Sequence, residues 1–342
     1  MDLHELKNVD LKPFNTFGLS CVADRVVEVH TEAELVHAVA DEALNASISL
    51  VLGGGSNLLF TRDHLAGTVL HVALLGRHVV AETDDWVVVE GAAGEPWHDF
   101  VRWTLDQGWG GLENLSLIPG NVGTTPIQNV GAYGVETKDV CHSVRWVERG
   151  TGKVHTFSPE ACRFGYRESI FKGELRNRAV VAAVQFKLTK NQHAVRTHYG
   201  SVDDELASRG EKPTPKNISD AVIRIRKSKL PDPAELGNSG SFFKNPTVSA
   251  DVHAHLVANH PSAPGYPQPD GRVKLAAGWL IEQAGWKGFR RGDAGVHTKQ
   301  ALVLVNYGGA TGPEIWQLAQ DIVADVHARF GVLLEPEVNV IA

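Results

Sequence analysis

The chain has 342 residues, long enough for more than one hydrophobic core. Its three cysteines (Cys21, Cys141 and Cys162) are widely spaced with no C-x-x-C pair, which excludes a disulfide framework and a cysteine zinc site and suits a reducing, cytoplasmic setting. A formal net charge of -7 removes any general electrostatic case for nucleic acid, and no apolar run approaches the ~20 residues of a membrane span.

The N-terminal MDLHELKNVDLKPF is polar and lacks the apolar centre of a signal peptide. RVVEV (25–29) reads as a strand, and TEAELVHAVADEAL (31–44) reads as one helix that Thr31 and Glu34 open as a capping box. ISLVL (48–52) stops at three glycines. GTVLHVAL, RHVVAET and DWVVVEG then follow as β-rich segments divided by turn residues. PWHDFVRWTLDQG (96–108) has helical apolar spacing, with Pro96 near its first turn. From Trp109 to Gly134 periodicity disappears. VRWVERGTGKVHTF (144–157) reads as a hairpin turning at Gly150–Gly152, and AVVAAVQFKL (179–188) as the strand that closes this half. A polar linker over residues 190–215 precedes a helix, PKNISDAVIRIRKSK (215–229), which the prolines of PDP stop. SAPGYPQPDG (262–271) is a loop, KLAAGWLIEQAG (274–285) a helix, ALVLVN (301–306) a buried strand and GPEIWQLAQDIVADVHARFG (312–331) the longest helix. LEPEVNVI forms a final strand.

Two glycine-rich stretches interrupt this order. In VLGGGSNLLF (51–60), glycines let the backbone take positive φ and come close to a ligand, and successive amides can cup an anion. The pattern is neither G-x-G-x-x-G nor a P-loop, and the same glycines suit a tight strand exit. The second stretch, GLENLSLIPGNVGTTPIQNVGAYGVE (111–136), is long, irregular and too apolar for disorder. A long, flat, phosphate-bearing cofactor lying along it would account for its mixture of glycine, hydroxyl and amide residues.

These stretches, together with NTFGLS (15–20), FGYRESIFK (164–172), KLPDP (229–233), GSFFKNP (240–246) and LEPEV, resemble the UDP-N-acetylenolpyruvoylglucosamine reductase family nearly from end to end. The resemblance implies an α+β protein. An FAD-binding fold of the vanillyl-alcohol-oxidase type, in two subdomains (1–70 and 71–214, the FAD-binding region as a whole about 17–190), precedes a C-terminal α+β substrate-binding domain (215–330). A terminal strand (331–342) carries a catalytic acid. The match of Tyr199 and KLPDP to a substrate-covering loop implies the longer of the family's two forms.

Carried over position by position, the resemblance implies cofactor contacts from Gly53, Gly54, Gly55, Ser56, Asn57 and Leu58. Further contacts are implied from Pro119, Gly120, Gly123, Thr124, Gln128, Asn129, Gly131, Ala132, Tyr133 and Gly134. No cysteine lies in these loops, so the FAD is expected to be non-covalent, with NADPH as co-substrate. Tyr166, Tyr199, Lys229, Asn245 and Gln300 fall where the family contacts its sugar nucleotide. In the implied reaction a hydride reaches the terminal carbon of an enol ether, and negative charge spreads from the neighbouring carbon into a carboxylate. Ser241 would protonate that carbon, which explains a serine with no histidine or aspartate beside it. Arg167 would hold the carboxylate in a bidentate fork, and Glu337 would donate a hydrogen bond to the enediolate if burial raised its pKa. Without the resemblance, Ser241 reads as a turn serine, Arg167 as half of a surface ion pair and Glu337 as a solvent-facing acid. Glu335 lies two residues away on the same strand face, so only the family pattern chooses between the two acids.

The sixteen histidines show no metal-ligand spacing such as H-E-x-x-H, so no metal is expected; His30, His37, His71 and His98 read as surface or packing residues. The expected partner is a UDP-sugar enolpyruvyl ether, with no nucleic acid and no membrane, and the expected state is a monomer. Two other readings compete: an FAD oxidoreductase of the same fold with another substrate, and a non-catalytic nucleotide-binding protein. Neither has a use for GSFFKNP, Arg167 and LEPEV together.

Overall fold

A computed structural model describes residues 3–342. Contacts divide the chain into two compact units. The first takes the chain up to Val9, Val22–Gly54 and Leu65–Ser228; the second takes Asp10–Cys21, Gly55–His64 and Lys229–Ala342.

In the first unit a four-stranded sheet has the order His4–Asp10, Val22–Val29, His64–Val72, Ile48–Leu52. The capping box forms as expected: Thr31 Oγ1 accepts from Glu34 N at 3.2 Å, and Glu34 Oε2 accepts from Thr31 N at 3.3 Å. The single helix expected over 31–44 is two, Glu32–Ala40 and Glu42–Ser47. Asp41 divides them because its extended backbone ends the first, while its carboxylate caps the second by accepting from Leu44 N at 2.7 Å. Leu35, Ala38 and Val39 on the first helix bury against Val27, Val29, Leu70 and Val72 of the sheet.

A five-stranded antiparallel sheet, Val154–Phe157, Cys141–Glu148, Ala179–Thr189, Trp86–Ala92, Arg77–Glu82, makes the other half of this unit. The expected hairpin is present, and its turn uses positive φ at Gly150 (88°) and Gly152 (69°). Arg145 reaches buried Glu90 with two nitrogens, at 2.8 and 2.7 Å, and Glu32 with a third at 2.7 Å, joining this sheet to the first helix. The helix Trp97–Asp106 packs Trp97 and Phe100 on Phe186 of the sheet, each at 5.5 Å between ring centroids. The helix Pro215–Lys229 belongs to this unit as far as Ser228, although the sequence places a boundary after residue 214. The reason is its apolar stripe: Ile218, Ala221, Val222 and Ile225 bury against Val202 and Leu206.

The second unit is built on the sheet Gly237–Ser241, Val303–Asn306, Ala294–Val296, Arg290–Arg291, with the helix Gly312–Phe330 packed on it. NTFGLS works inside this core. Asn15 closes its loop by donating to the carbonyls of Leu11 and Leu19, both at 2.8 Å, and by accepting from Leu19 N at 3.0 Å. Phe17 is thereby buried against Phe242, and Asn306 donates to the Phe17 carbonyl at 3.0 Å. Two expectations need correction. Within 262–271 a short strand, Gly265–Pro267, pairs with Val273–Leu275. Of LEPEVNVI only Asn339–Ile341 is regular strand, running parallel to Leu58–Phe60. Pro336 cannot donate a ladder hydrogen bond, and it makes only an isolated bridge to Phe243.

All three thiols are free and buried. Burial pushes Cys21 up to about 11, and Cys141 and Cys162 up to about 12. At about pH 8 a thiol with a pKa of about 12 is ionised roughly once in ten thousand, and the thiolate is the reactive form. The native protein should therefore release no rapid colour with Ellman's reagent, and three equivalents after unfolding in guanidinium. A fast thiol in the native state would contradict this burial.

Candidate active site

The residues singled out from the sequence fall into two groups, one on each unit. In the first unit the two glycine-rich stretches cross at contact distance. A Cβ on Gly53 would lie 2.9 Å from Thr124 Cγ2, and one on Gly54 would lie 2.5 Å from Asn121 Oδ1 and 3.0 Å from Gly120 Cα. Gly123 leaves no room either, since an added Cβ would fall 2.4 Å from Ala93 Cβ. These glycines are demanded by chain crossing before any ligand is considered. The long stretch is pinned by backbone bonds from Trp97 N to Gly120 O, Val122 N to Glu95 O and Gly123 N to Ala93 O, at 2.9, 2.9 and 3.0 Å. Thr124 closes its own turn on Asn121 O at 2.7 Å, Trp97 Nε1 donates to Leu115 O at 2.9 Å, Pro119 is exposed and Gln128 half-buried.

Asn129 is the peg of this stretch. It is fully buried at φ 46°, and its amide donates to Gly165 O at 2.9 Å and Glu136 Oε2 at 3.0 Å while accepting from Lys138 N at 3.0 Å. Gly131–Ala132 pairs with Val135–Glu136 across a two-residue turn, Tyr133–Gly134, whose φ values of 50° and 80° are those of a type I′ hairpin. Asn129 also anchors a second tight turn. Gly165 and Glu168 exchange both backbone hydrogen bonds, at 2.9 and 3.3 Å, with Tyr166 and Arg167 at the apex. Arg167 has φ 55°, a conformation that a long side chain adopts only when its surroundings impose it. Those surroundings are Arg167 Nη2 donating to Gly131 O at 2.9 Å and Ser169 Oγ donating to Ile127 O at 2.6 Å. Arg167 and Tyr166 are thus clamped to the glycine-rich stretch.

Tyr199 is 62% exposed, yet its segment is anchored to the same hairpin. Arg196 donates to Gly134 O at 2.6 Å, Asn114 donates to both Tyr133 O and Arg196 O, and Tyr199 Cβ lies 3.2 Å from where a Gly134 Cβ would be.

Sequence reasoning missed Arg226. It stands on the helix Pro215–Lys229 next to the buried positions Val222 and Ile225, and its Nε donates to Leu117 O at 3.1 Å. Burial pulls its pKa below the usual arginine value, with Tyr133 opposing. No carboxylate pairs with it among the described residues. The cationic run IRIRKSK was the available signal, but composition does not tell which cation faces inward. His98 accepts from Leu117 N at 2.9 Å through Nδ1, and burial, reinforced by Arg102, Arg226 and Lys227, lowers its pKa. It is therefore a neutral prop for Leu117, which sits at φ 58°. A desolvated cation without an acid, beside a stretch of bare backbone, fits an anionic, phosphate-bearing cofactor such as FAD.

In the second unit Ser241 ends the strand Gly237–Ser241. Asn238 pairs with Val305 and Ser241 with Val303, so the serine strand carries one extra residue, and Gly240 in the left-handed region (φ 72°) takes up the bulge. Asn238 fixes it by accepting from Gly240 N at 2.9 Å and donating to Leu236 O at 2.8 Å. The bulge leaves Ser241 exposed while Phe242 and Phe243 are both fully buried, so the phenylalanines anchor the serine from within the core and do not line an opening.

The segment 242–244 pairs with 335–337: Glu337 N donates to Phe242 O at 2.8 Å, and Lys244 N donates to Glu335 O at 2.9 Å. Asn57 donates to Glu337 O at 3.2 Å, and Asn339 N donates to Asn57 O at 3.1 Å, so Asn57 steadies the acid's backbone. Glu335 is exposed and lies 3.7 Å from Lys244 Nζ, whereas Glu337 is half-buried, so burial separates two acids that the sequence left equivalent. Gly55 is obligatory, with φ 61° and a would-be Cβ 1.9 Å from Phe14 O; Ser56 and Leu58 follow it, half-buried. Asn245 Oδ1 accepts from Ala277 N at 3.0 Å, and Gln300 Oε1 lies 3.2 Å from a Cβ built on Gly278, so these two meet at the start of one helix. Lys229 is exposed at the end of the helix Pro215–Lys229.

Residues 23–158 match the FAD binding domain, and residues 232–341 match the C-terminal domain of UDP-N-acetylenolpyruvoylglucosamine reductase. The chain is 53% identical to the UDP-N-acetylenolpyruvoylglucosamine reductase of Pseudomonas putida over 97% of its own length and 98% of the relative's. It is 50% identical to that of Flavobacterium johnsoniae, covering 98% of each chain. The crystal structure of the reductase (MurB) from Thermus caldophilus superposes with a TM-score of 0.66 at 25% identity, covering 100% of both chains. The chain belongs to the UDP-N-acetylenolpyruvoylglucosamine reductase family.

Proposed function

We propose that Arg167, Ser241 and Glu337 carry the chemistry of this FAD-dependent oxidoreductase, which reduces the enolpyruvyl group of a UDP-sugar in peptidoglycan precursor synthesis, and that NADPH is its source of reducing equivalents. The observation that carries the reading is the glycine bulge that turns Ser241 outward on the strand whose next residue bonds to Glu337. The flavin would be held by the crossing of Gly53 and Gly54 with Gly120–Thr124, by the hairpin Gly131–Gly134, and by Arg226, a desolvated cation with no acid beside it among the described residues. No cysteine is available to attach it, because every thiol is buried and protonated.

When bound, FAD supplies the hydride that goes to the terminal vinyl carbon of the substrate. The chain's residues then deal with what that leaves. Negative charge appears on the carbon beside the carboxylate and spreads into its oxygens. Arg167, pre-oriented by its bond to Gly131 O, offers a planar fork to that carboxylate. Glu337, half-buried where Glu335 is exposed, is the acid proposed to face the same developing charge. Ser241 donates its hydroxyl proton to the carbon and, being exposed, regains one from water. Tyr166, Tyr199, Lys229, Asn245 and Gln300 are proposed to bind the nucleotide and sugar. The reading needs one chain only, working in a reducing cytoplasm, and no described helix is long and apolar enough to cross a membrane.

The test is an anaerobic visible spectrum. NADPH should bleach the protein, and the enolpyruvyl sugar nucleotide should return its colour; bleaching without return would discard this substrate. In Ser241→Ala the bleaching by NADPH should persist while the return slows by about 10²-fold or more. Equal slowing of both half-reactions would remove the proton-donor role. Arg167→Lys should lower turnover by about 10²-fold with flavin retained, because an ammonium cannot reproduce the fork; near-normal turnover would reduce Arg167 to a point charge. Arg226→Met should purify with substoichiometric FAD that washes out on gel filtration, while full retention would leave that guanidinium a structural role.

A further inference from the structure

A group of histidines on the first unit's four-stranded sheet includes none of the candidate active-site residues. On the four-stranded sheet, His4–Asp10, Val22–Val29 and His64–Val72 are neighbours in that order. Across them run His4, Glu28 and His71: His4 Nδ1 is 2.8 Å from Glu28 Oε2, and His71 Nδ1 is 3.0 Å from Glu28 Oε1. His30 follows two residues after Glu28, just past the strand's end at Val29. One ring nitrogen each from His4 and His30 and one carboxylate oxygen of Glu28 lie within 4.8 Å of one another.

We infer that His4, Glu28 and His30 form a site for a divalent first-row transition-metal ion, with His71 as the positioning residue that holds Glu28. A tetrahedral ion at about 2.0–2.1 Å from its donors keeps them about 3.3 Å apart, so the present spread of 4.8 Å closes by small rotations of two exposed imidazoles. The fixed member is the right one. The Glu28 side chain is only 18% exposed, and His71 pins its far oxygen, as the outer partners of metal ligands do. The ion takes the place of the hydrogen that joins His4 to Glu28. A neutral His4 carries its proton on the other ring nitrogen and presents a lone pair. Water completes the fourth position, since the protein supplies three donors. Two imidazoles in three donors select zinc-like ions over magnesium or calcium, which prefer oxygen.

The test is calorimetric titration of the untagged, flavin-loaded full chain with zinc chloride, repeated with magnesium chloride. One Zn²⁺ per chain is expected, with no comparable magnesium binding. His4→Ala and His30→Ala should each weaken zinc by more than about tenfold, and His71→Phe by about tenfold through loss of positioning. His30→Ala spares the helix start, because the bond from His30 to Glu34 is made by its backbone N at 2.7 Å. His255→Ala, at an exposed histidine of the second unit, should change nothing. Circular dichroism of each variant separates loss of a ligand from loss of fold. Zinc affinity unchanged in both His4→Ala and His30→Ala, magnesium binding as tightly as zinc, or no zinc binding at about 100 µM would each overturn the site.

Discussion

The hydrogen bond from Glu337 N to Phe242 O, 2.8 Å long, holds the candidate chemistry of the second unit together. It ties the end of the chain to the residue after Ser241, so serine and glutamate are placed by backbone and not by the reach of flexible side chains. Everything around it serves that register. Phe242 N donates to Leu302 O at 2.7 Å, the two phenylalanines fill the core behind, and Asn57 holds Glu337 from the other side. The bulge at Gly240 shifts the register just before Ser241, which ends the strand exposed.

In the first unit the governing constraint is steric. Glycines 53, 54 and 123 admit no side chain because another segment already occupies the space. The sequence reading assigned them to ligand approach, and the structure gives a prior cause in chain crossing. The two accounts are compatible, since a crossing without side chains is also thin enough for a phosphate-bearing ligand to lie against backbone. They differ in what a substitution tests. Alanine at Gly123 would displace the turn carrying Ala93 as well as the loop, so a loss of flavin there would report on packing first.

What was legible in the sequence was local. The Thr31 capping box, the hairpin with its turn glycines and the full span of Pro215–Lys229 all rest on interactions within a few residues. What was not legible depends on partners remote along the chain. Asp41 reads as one more polar residue of a helix until its carboxylate is seen to cap the next one. The strand expected from LEPEVNVI fails at Pro336, whose neighbours instead pair with 242–244. Glu335 and Glu337 look alike until the fold leaves one exposed and half-covers the other. The histidine cluster escapes any search by spacing, because His4 and His71 are brought to Glu28 by strand order. For the candidate site, the family pattern named the residues, while the reasons for their placement came only from contacts. Arg226 shows the remaining gap: its lack of an acid is a property of its surroundings and cannot be read from IRIRKSK.

Strain is distributed in the same sense. Leu117, Asn129, Tyr133 and Arg167 all hold positive φ, at 58°, 46°, 50° and 55°, in two stretches that hydrogen-bond to each other. Such conformations cost about 1–3 kcal/mol each and persist only where neighbours over-determine them. The neighbours are His98 for Leu117, three side-chain bonds for Asn129, Asn114 for Tyr133, and Gly131 O for Arg167. The effect is to leave the arginine few alternatives: relaxing its backbone would break its own bond to Gly131 and disturb the hairpin that Asn114 and Arg196 hold. For the fork proposed for Arg167, that restriction is a gain, because the ordering would be done before substrate arrives.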